Sequence, residues 1–282
     1  MPFKDILLRL ENHPDAMPLE AVDRAVRLAA RLGDSVCGLT LRVHFPLKPN
    51  RMADLLIGLG DMARQEEQRC LNQAQAILER FRDQGRQAGL KPSELMVHCE
   101  YYNAAGRIAV AARTHDLCLV PYVGDLDAQR GVAEAVIFGA GRPVVVFRAD
   151  DQREIPERLD RILVAWDGGR AAARAVADAL PILAAAQDVQ IVIVTNEKPG
   201  AGAGSGDDLK RHLDRHGVAA QVVEIDAEGS PIGAVLRRRL AQDPRDLMVM
   251  GAFGHSRTRE FILGGATQSL LSDPPAPIFF SH

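Results

Sequence analysis

Cysteine is scarce in this chain and nowhere closely paired. Cys37, Cys70, Cys99 and Cys118 lie 33, 29 and 19 residues apart in a sequence of 282. No C-x-x-C pair is present to begin a zinc or dithiol site, so reduced, mostly buried thiols are expected. Long apolar runs are also missing. The opening MPFKDILLRLENHP turns polar after a few apolar residues, unlike a signal peptide or a spanning helix. A cytoplasmic protein without a membrane partner is expected. Nor does one sign of charge dominate. Net charge is −3, from 34 basic and 37 acidic residues, divided as 19 against 19 over residues 1–150 and 15 against 18 beyond. Backbone binding to nucleic acid needs clustered cations, so no nucleic-acid partner is expected. A small anion needs only a local site and stays open.

Several signatures of chemistry are absent as well. The run Gly200–Gly206 lacks the Gly-Lys-[Ser/Thr] ending of a P-loop and misses the G-x-G-x-x-G register, so it reads as a flexible loop. His212 and His216 stand four apart on an expected helix but bring no third ligand. They read as a solvated face rather than a metal site. Arg237-Arg238-Arg239 reads as an exposed helix end, which cations favour. No G-x-S-x-G elbow occurs, and Ser256 beside His255 has no acid fixed next to it. No catalytic residue or general base is therefore nominated.

What is present is a repeat. With 47% apolar and 25% charged residues, the chain can bury a core, and its length suits two domains of about 100–200 residues. Asp5–Arg9 is a short apolar run, followed by helical spacing over Pro18–Leu32, a stop at Gly33 and an apolar run from Val36 to Val43. The order returns in Arg161–Trp166, Asp167-Gly-Gly169, an alanine-rich helix to about Ala186, and Val189–Thr195. The offset is about 156 residues, as Ile6 against Ile162 shows. The halves also close alike, with Asp116–Val120 and Arg142–Phe147 against Asp246–Met250 and Ala276–Phe280. The polar stretch Arg148–Arg158 separates residues 1–150 from 157–282. The first half differs by a long amphipathic segment, Met52–Leu90, read as a helical insertion; the second has a shorter helix near Asp208–His216.

Nearly continuous apolar strands alternating with helices predict two tandem, doubly wound, five-stranded parallel sheets. In the second half the expected strands are 161–166, 189–195, 220–225, 246–250 and 277–281. Ligands of such sheets sit beyond the carboxyl ends of the strands, where the winding reverses. After the fourth strand of the second half comes Met250-Gly251-Ala-Phe-Gly254-His255-Ser-Arg257, and later Gly264-Gly265-Ala-Thr267. Gly251 and Gly254 allow close backbone approach. Gly264 and Gly265 precede a helix whose amino end suits a phosphate, and His255, Arg257 and Arg259 add local positive charge. Asp167, at the end of the first strand of this half, can accept from an exocyclic amine or cap a turn before Gly168-Gly169.

The spacing Gly251-x2-Gly254-x9-Gly264, with Asp246–Gly251 and Pro277–Phe280 around it, resembles the universal stress protein family, and the resemblance spans nearly the whole chain. It implies a Rossmann-like fold of the adenine nucleotide alpha hydrolase type and an intrachain pseudo-dimer paired through Val144–Phe147 and Ile278–Ser281. A homodimer of whole chains is open. It further implies an adenine nucleotide, ATP with or without Mg²⁺, as ligand and cofactor, with Asp167 and the Val194 backbone reading the base. The role implied is a regulatory stress response, with at most slow ATP hydrolysis. Gly265 departs from the pattern, which places a hydroxyl there; Thr267 is a substitute. The first half departs further. Pro121 stands for Gly251, Glu134 is aligned with Gly264, Asp125 and Asp127 add negative charge, and Leu10-Glu11 ends the first strand. This half is expected to bind no nucleotide by that motif. A scaffold or sensor that has lost the site is the competing reading.

Overall fold

The computed structural model describes residues 3–46, 59–124, 126–151, 153–196, 206–252 and 265–282. Ten strands form one sheet: β1 (Ile6–Arg9), β2 (Ser35–His44), β3 (Lys91–Glu100), β4 (Leu117–Tyr122) and β5 (Val144–Arg148), then β6 (Arg161–Ala165), β7 (Asp188–Thr195), β8 (Ala220–Asp226), β9 (Leu247–Gly251) and β10 (Ile278–Ser281). Among the described residues eight α-helices connect them: α1 (Leu19–Leu32), α2 (Leu59–Gln87), α3 (Ala104–Ala112), α4 (Leu126–Gly139), α5 (Arg170–Leu183), α6 (Gly206–Arg215), α7 (Ile232–Gln242) and α8 (Gly265–Ser272).

The strand order is β3-β2-β1-β4-β5-β10-β9-β6-β7-β8. Each half is parallel, and the join is antiparallel, with Ile278 opposite Val146 and Phe280 opposite Val144. The two expected edge strands therefore pair, and neither leaves a free ladder of N–H and C=O groups there. Because the join is antiparallel, the carboxyl ends of the two sets of strands point in opposite directions. The two candidate clefts consequently lie on opposite margins of the sheet.

Strands buried on both faces explain the unbroken apolar runs. On one face Leu28 and Leu32 of α1, Phe81 of α2, Val176 of α5 and Leu213 of α6 pack over Ile6, Leu8, Ile162 and Val249. On the other, Ile108 of α3, Val136 of α4, Leu236 of α7 and Leu270 of α8 cover Leu7, Val120, Leu163 and Met248. All four cysteines are buried, and burial pushes the Cys118 thiol up to about 12.

Two expectations change. The long helix of the first half is not an added element: α2 stands between β2 and β3 as α6 stands between β7 and β8. The first half lengthens a shared helix. The Arg237–Arg239 run is not a free helix end either. Arg239 donates to Gln190 and Asp243 at 2.7 and 2.8 Å, and Arg237 bonds the Ser269 carbonyl; Arg238 is exposed. Tertiary acceptors on β7 and α8 draw in two of the three guanidinium groups.

Candidate nucleotide site at the carboxyl ends of β6, β7 and β9

Asp167 follows β6 by two residues and sits exposed at the head of α5. Its Oδ1 accepts the Gly169 N–H at 2.8 Å, so it performs the turn role that its sequence context also allowed. Val194 lies near the end of β7, opposite Ile225 of β8. Gly251 ends β9, and its lack of a side chain has a definite cause. A Cβ there would stand 2.3 Å from the Ala172 nitrogen and 2.4 Å from the Ala171 carbonyl carbon. The first turn of α5 lies directly on the end of β9.

Gly265 begins α8, and a Cβ added to it meets nothing within 4 Å. Thr267 belongs to the buried face of that helix, at 3% exposure. Gly254, His255, Arg257 and Gly264 lie outside the described residues, as does Arg259. The described residues thus bring Asp167, Val194, Gly251 and the amino end of α8 to the same margin of the sheet. Among the described residues no group of three or more His, Cys, Asp or Glu is placed to hold a metal ion. His212 and His216 pack edge to face at 4.8 Å between ring centres.

The corresponding margin of the first half is occupied by its own side chains. Strand registers pair Ile6 with Leu117 and Ile162 with Leu247, so Arg9 corresponds to Ala165, Glu11 to Asp167 and Tyr122 to Ala252. Arg9 is 5% exposed and Gln129 3%. The Arg9 guanidinium donates to Gln129 Oε1 at 2.5 Å and to Glu11 Oε1 at 2.6 Å. Gln129 Nε2 returns a bond to Glu11 Oε2 at 2.5 Å. The acid that matches Asp167 is therefore committed to a closed polar triangle. Tyr122 is fully buried beside it, and its hydroxyl has no hydrogen-bond partner among the described residues. Burial, helped by Glu134, pushes that phenol above its ordinary range, while Arg9 and Arg130 oppose the shift.

The alignment of Glu134 with Gly264 is also corrected. Register matches Cys118–Val144 of β4 and β5 with Met248–Ile278 of β9 and β10. The buried positions Ala133, Val136 and Ile137 of α4 then match Thr267, Leu270 and Leu271 of α8. Arg130 thereby corresponds to Gly264, Gly131 to Gly265 and Glu134 to Gln268. The chain from the strand to these matched helix positions is four residues shorter in the first half, which a count from the strand alone does not reveal. Arg130 is held between Asp127 at 3.1 Å and Glu134 at 3.3 Å.

No family model and no curated protein matches this sequence. Solved structures do. A universal stress protein from Archaeoglobus fulgidus DSM 4304 superposes with a TM-score of 0.72 at 16% identity, over 98% of this chain and 95% of that one. A protein described as a universal stress protein from Pseudomonas aeruginosa UCBPP-PA14 superposes with a TM-score of 0.53 at 13% identity, over 99% and 93%. A protein of unknown function from Pseudomonas aeruginosa PAO1 gives 0.55 at 14% identity, over 99% and 92%. The chain has the universal stress protein fold, built twice within one continuous sheet.

Proposed function

We propose that this protein binds one adenine nucleotide, ATP, at the carboxyl ends of β6, β7 and β9, and acts as a regulatory stress-response protein rather than a catalyst. The observation that carries the reading is the asymmetry of the two margins. Where the first half places Arg9 and Tyr122, the second has Ala165 and Ala252, and where the first commits Glu11 to a buried triangle, the second leaves Asp167 at the surface. Asp167 and the Val194 main chain would face the base. The loop with Gly254, His255, Arg257 and Gly264, and the amino end of α8 at Gly265 and Thr267, would face the phosphates, where unpaired N–H groups favour anions.

ATP, with Mg²⁺ if present, would supply only a charged ligand whose binding biases the fold. Nothing in the chain's own residues nominates a base to activate water, so any hydrolysis would be slow. The competing reading, a scaffold with a lost site, draws on Gly265 in place of a hydroxyl and on the turn bond from Gly169 to Asp167. Mass spectrometry of the species released on denaturing freshly purified protein separates the two. A stoichiometric adenine nucleotide supports the site, and release of none supports the scaffold.

A further inference from the structure

In the first half, the place beyond the end of β1 is taken by one side chain. Asn12, three residues after Arg9, is 1% exposed, and its carboxamide closes a reciprocal pair with the main chain of β2. The Nδ2 group donates to the Leu41 carbonyl at 2.8 Å, and Oδ1 accepts the Leu41 N–H at 2.9 Å. The same Nδ2 donates to the Cys70 carbonyl at 3.1 Å and lies 3.1 Å from Cys70 Sγ. Both polar atoms of the carboxamide are thereby satisfied, as burial requires.

Leu41 has a counterpart in the second half. Leu39 lies opposite Arg9 and Val192 opposite Ala165, and the bonds repeat: the Leu10 N–H donates to the Leu39 carbonyl as the Trp166 N–H donates to that of Val192. Two residues on, Leu41 matches Val194. Alternate residues of a strand turn their N–H and C=O groups to the same neighbour, so Val194 directs both past the end of β6, where neither has a partner among the described residues. At the position of Asn12, counted from the strand, the second half has Gly168. The difference extends to the covering helix. Pairing of Leu39 with Leu95 and of Val192 with Val223 matches Gln87, the last residue of α2, with Arg215, the last of α6. Gly206 then falls on Leu78, so α2 adds residues 59–77 before the point where α6 begins. Those added turns pin the chain that carries Asn12, Cys70 through the bonds above and Arg69 through Asp15 at 3.0 Å.

We propose that Asn12 is a built-in occupant of the first half: its carboxamide takes the main-chain donor and acceptor of Leu41 that a ligand would otherwise meet, and the added turns of α2 hold it there. Asn12 is thus the residue that excludes a ligand from the end of β1, beside the Arg9–Glu11–Gln129 triangle. The first half keeps an occupied shape whatever the second half binds. The place that Asn12 fills has the chemistry of a primary-amide site, an N–H donor and a C=O acceptor side by side. All of its contacts lie within the first half and stand apart from the nucleotide reading; only the role of Val194 as a free base-facing main chain rests on that reading.

The test removes the carboxamide and returns it as a free molecule. Asn12→Gly deletes the heavy atoms that make up acetamide. In thermal melts of the full chain, acetamide at about 100 mM should raise the melting temperature of Asn12→Gly by at least about 2 °C more than that of the parent. N,N-dimethylacetamide, which has no N–H to give the Leu41 carbonyl, should not. A merely structural asparagine gives a weakened variant with no selective rescue, and that result, or equal rescue by both amides, overturns the proposal. Should Asn12→Gly not fold, amide hydrogen exchange read by NMR on the parent decides. The Leu41 N–H should be protected without any ligand and unchanged by ATP, and the Val194 N–H should exchange at least about tenfold faster until ATP is added. A Leu41 N–H as unprotected as that of Val194 overturns the proposal. A Val194 N–H that ATP does not slow, with Leu41 protected, supports Asn12 as the occupant and counts against the nucleotide site alone.

Discussion

Replacing Gly251 by alanine should force β9 and α5 apart. The added Cβ would lie 2.3 Å from the Ala172 nitrogen, 2.4 Å from the Ala171 carbonyl carbon and 2.8 Å from its oxygen. An unstrained contact needs about 3.5–4.0 Å, so the first turn of α5 must withdraw by roughly 1 Å. All three atoms are main chain, in a helix anchored by Val176, Ala179 and Leu183 in the core, and no rotamer change relieves them. Overpacking of this kind costs about 1–3 kcal/mol, occasionally more. For a chain of this size that lowers the melting temperature by roughly 2–12 °C. Gly265→Ala is the internal control. Its Cβ meets nothing within 4 Å, and a glycine replaced without strain gains about 0.4–1 kcal/mol through the unfolded chain. Paired thermal melts by circular dichroism decide the matter. A Gly251→Ala variant as stable as the parent would refute the claim that this glycine is set by the approach of α5.

Other consequences follow from the same structure. Arg9→Met should destabilise the chain by up to about 3 kcal/mol in urea unfolding, because the half-buried Glu11 loses its cationic partner. Adding Glu11→Gln should recover much of that loss, and a double variant no better than the single would contradict the closed triangle. Gly265→Ser should tighten ATP binding by up to about tenfold, the value of one added hydrogen bond, with no loss of stability; weaker binding would tell against a phosphate there. The Arg148 guanidinium, hydrogen-bonded to Asp150, holds that carboxyl below its ordinary value of 3.8. Its stabilising effect is thus complete above that value and fades as pH falls towards the lower folded-state value. Asp150→Asn should therefore flatten the acid limb of a stability-versus-pH curve and leave its neutral region nearly parallel to the parent's.

The strands were legible because burial on both faces leaves little choice of residue: 161–166, 189–195 and 246–250 were expected within a residue or two of β6, β7 and β9. Pairing of the edge strands was expected from the family resemblance, and β5 and β10 do pair. The filled cleft was not, since Arg9 and Gln129 are 120 residues apart and no local pattern joins them. One signal was present. An arginine in the otherwise apolar Ile6-Leu-Leu-Arg9 falls, at the repeat offset, on Ala165, and a charge in place of a methyl group at a cleft marks a changed site. The reason for Gly251 was half legible. Close approach was expected of a ligand, and the structure places a helix backbone there. The misalignment of Glu134 arose because helix positions are not fixed by strand ends; the buried positions of α4 lie four residues nearer their strand than the matching positions of α8.

The proposed function places one nucleotide site in each chain, in the second half. Isothermal titration calorimetry with ATP tests it most directly, using the parent chain beside Gly254→Val, whose branched side chain would enter the space assigned to a phosphate. The prediction is saturable heat with a stoichiometry near one for the parent, and binding weakened at least about tenfold in the variant. No heat from the parent at millimolar ATP, or a stoichiometry near two, would contradict it.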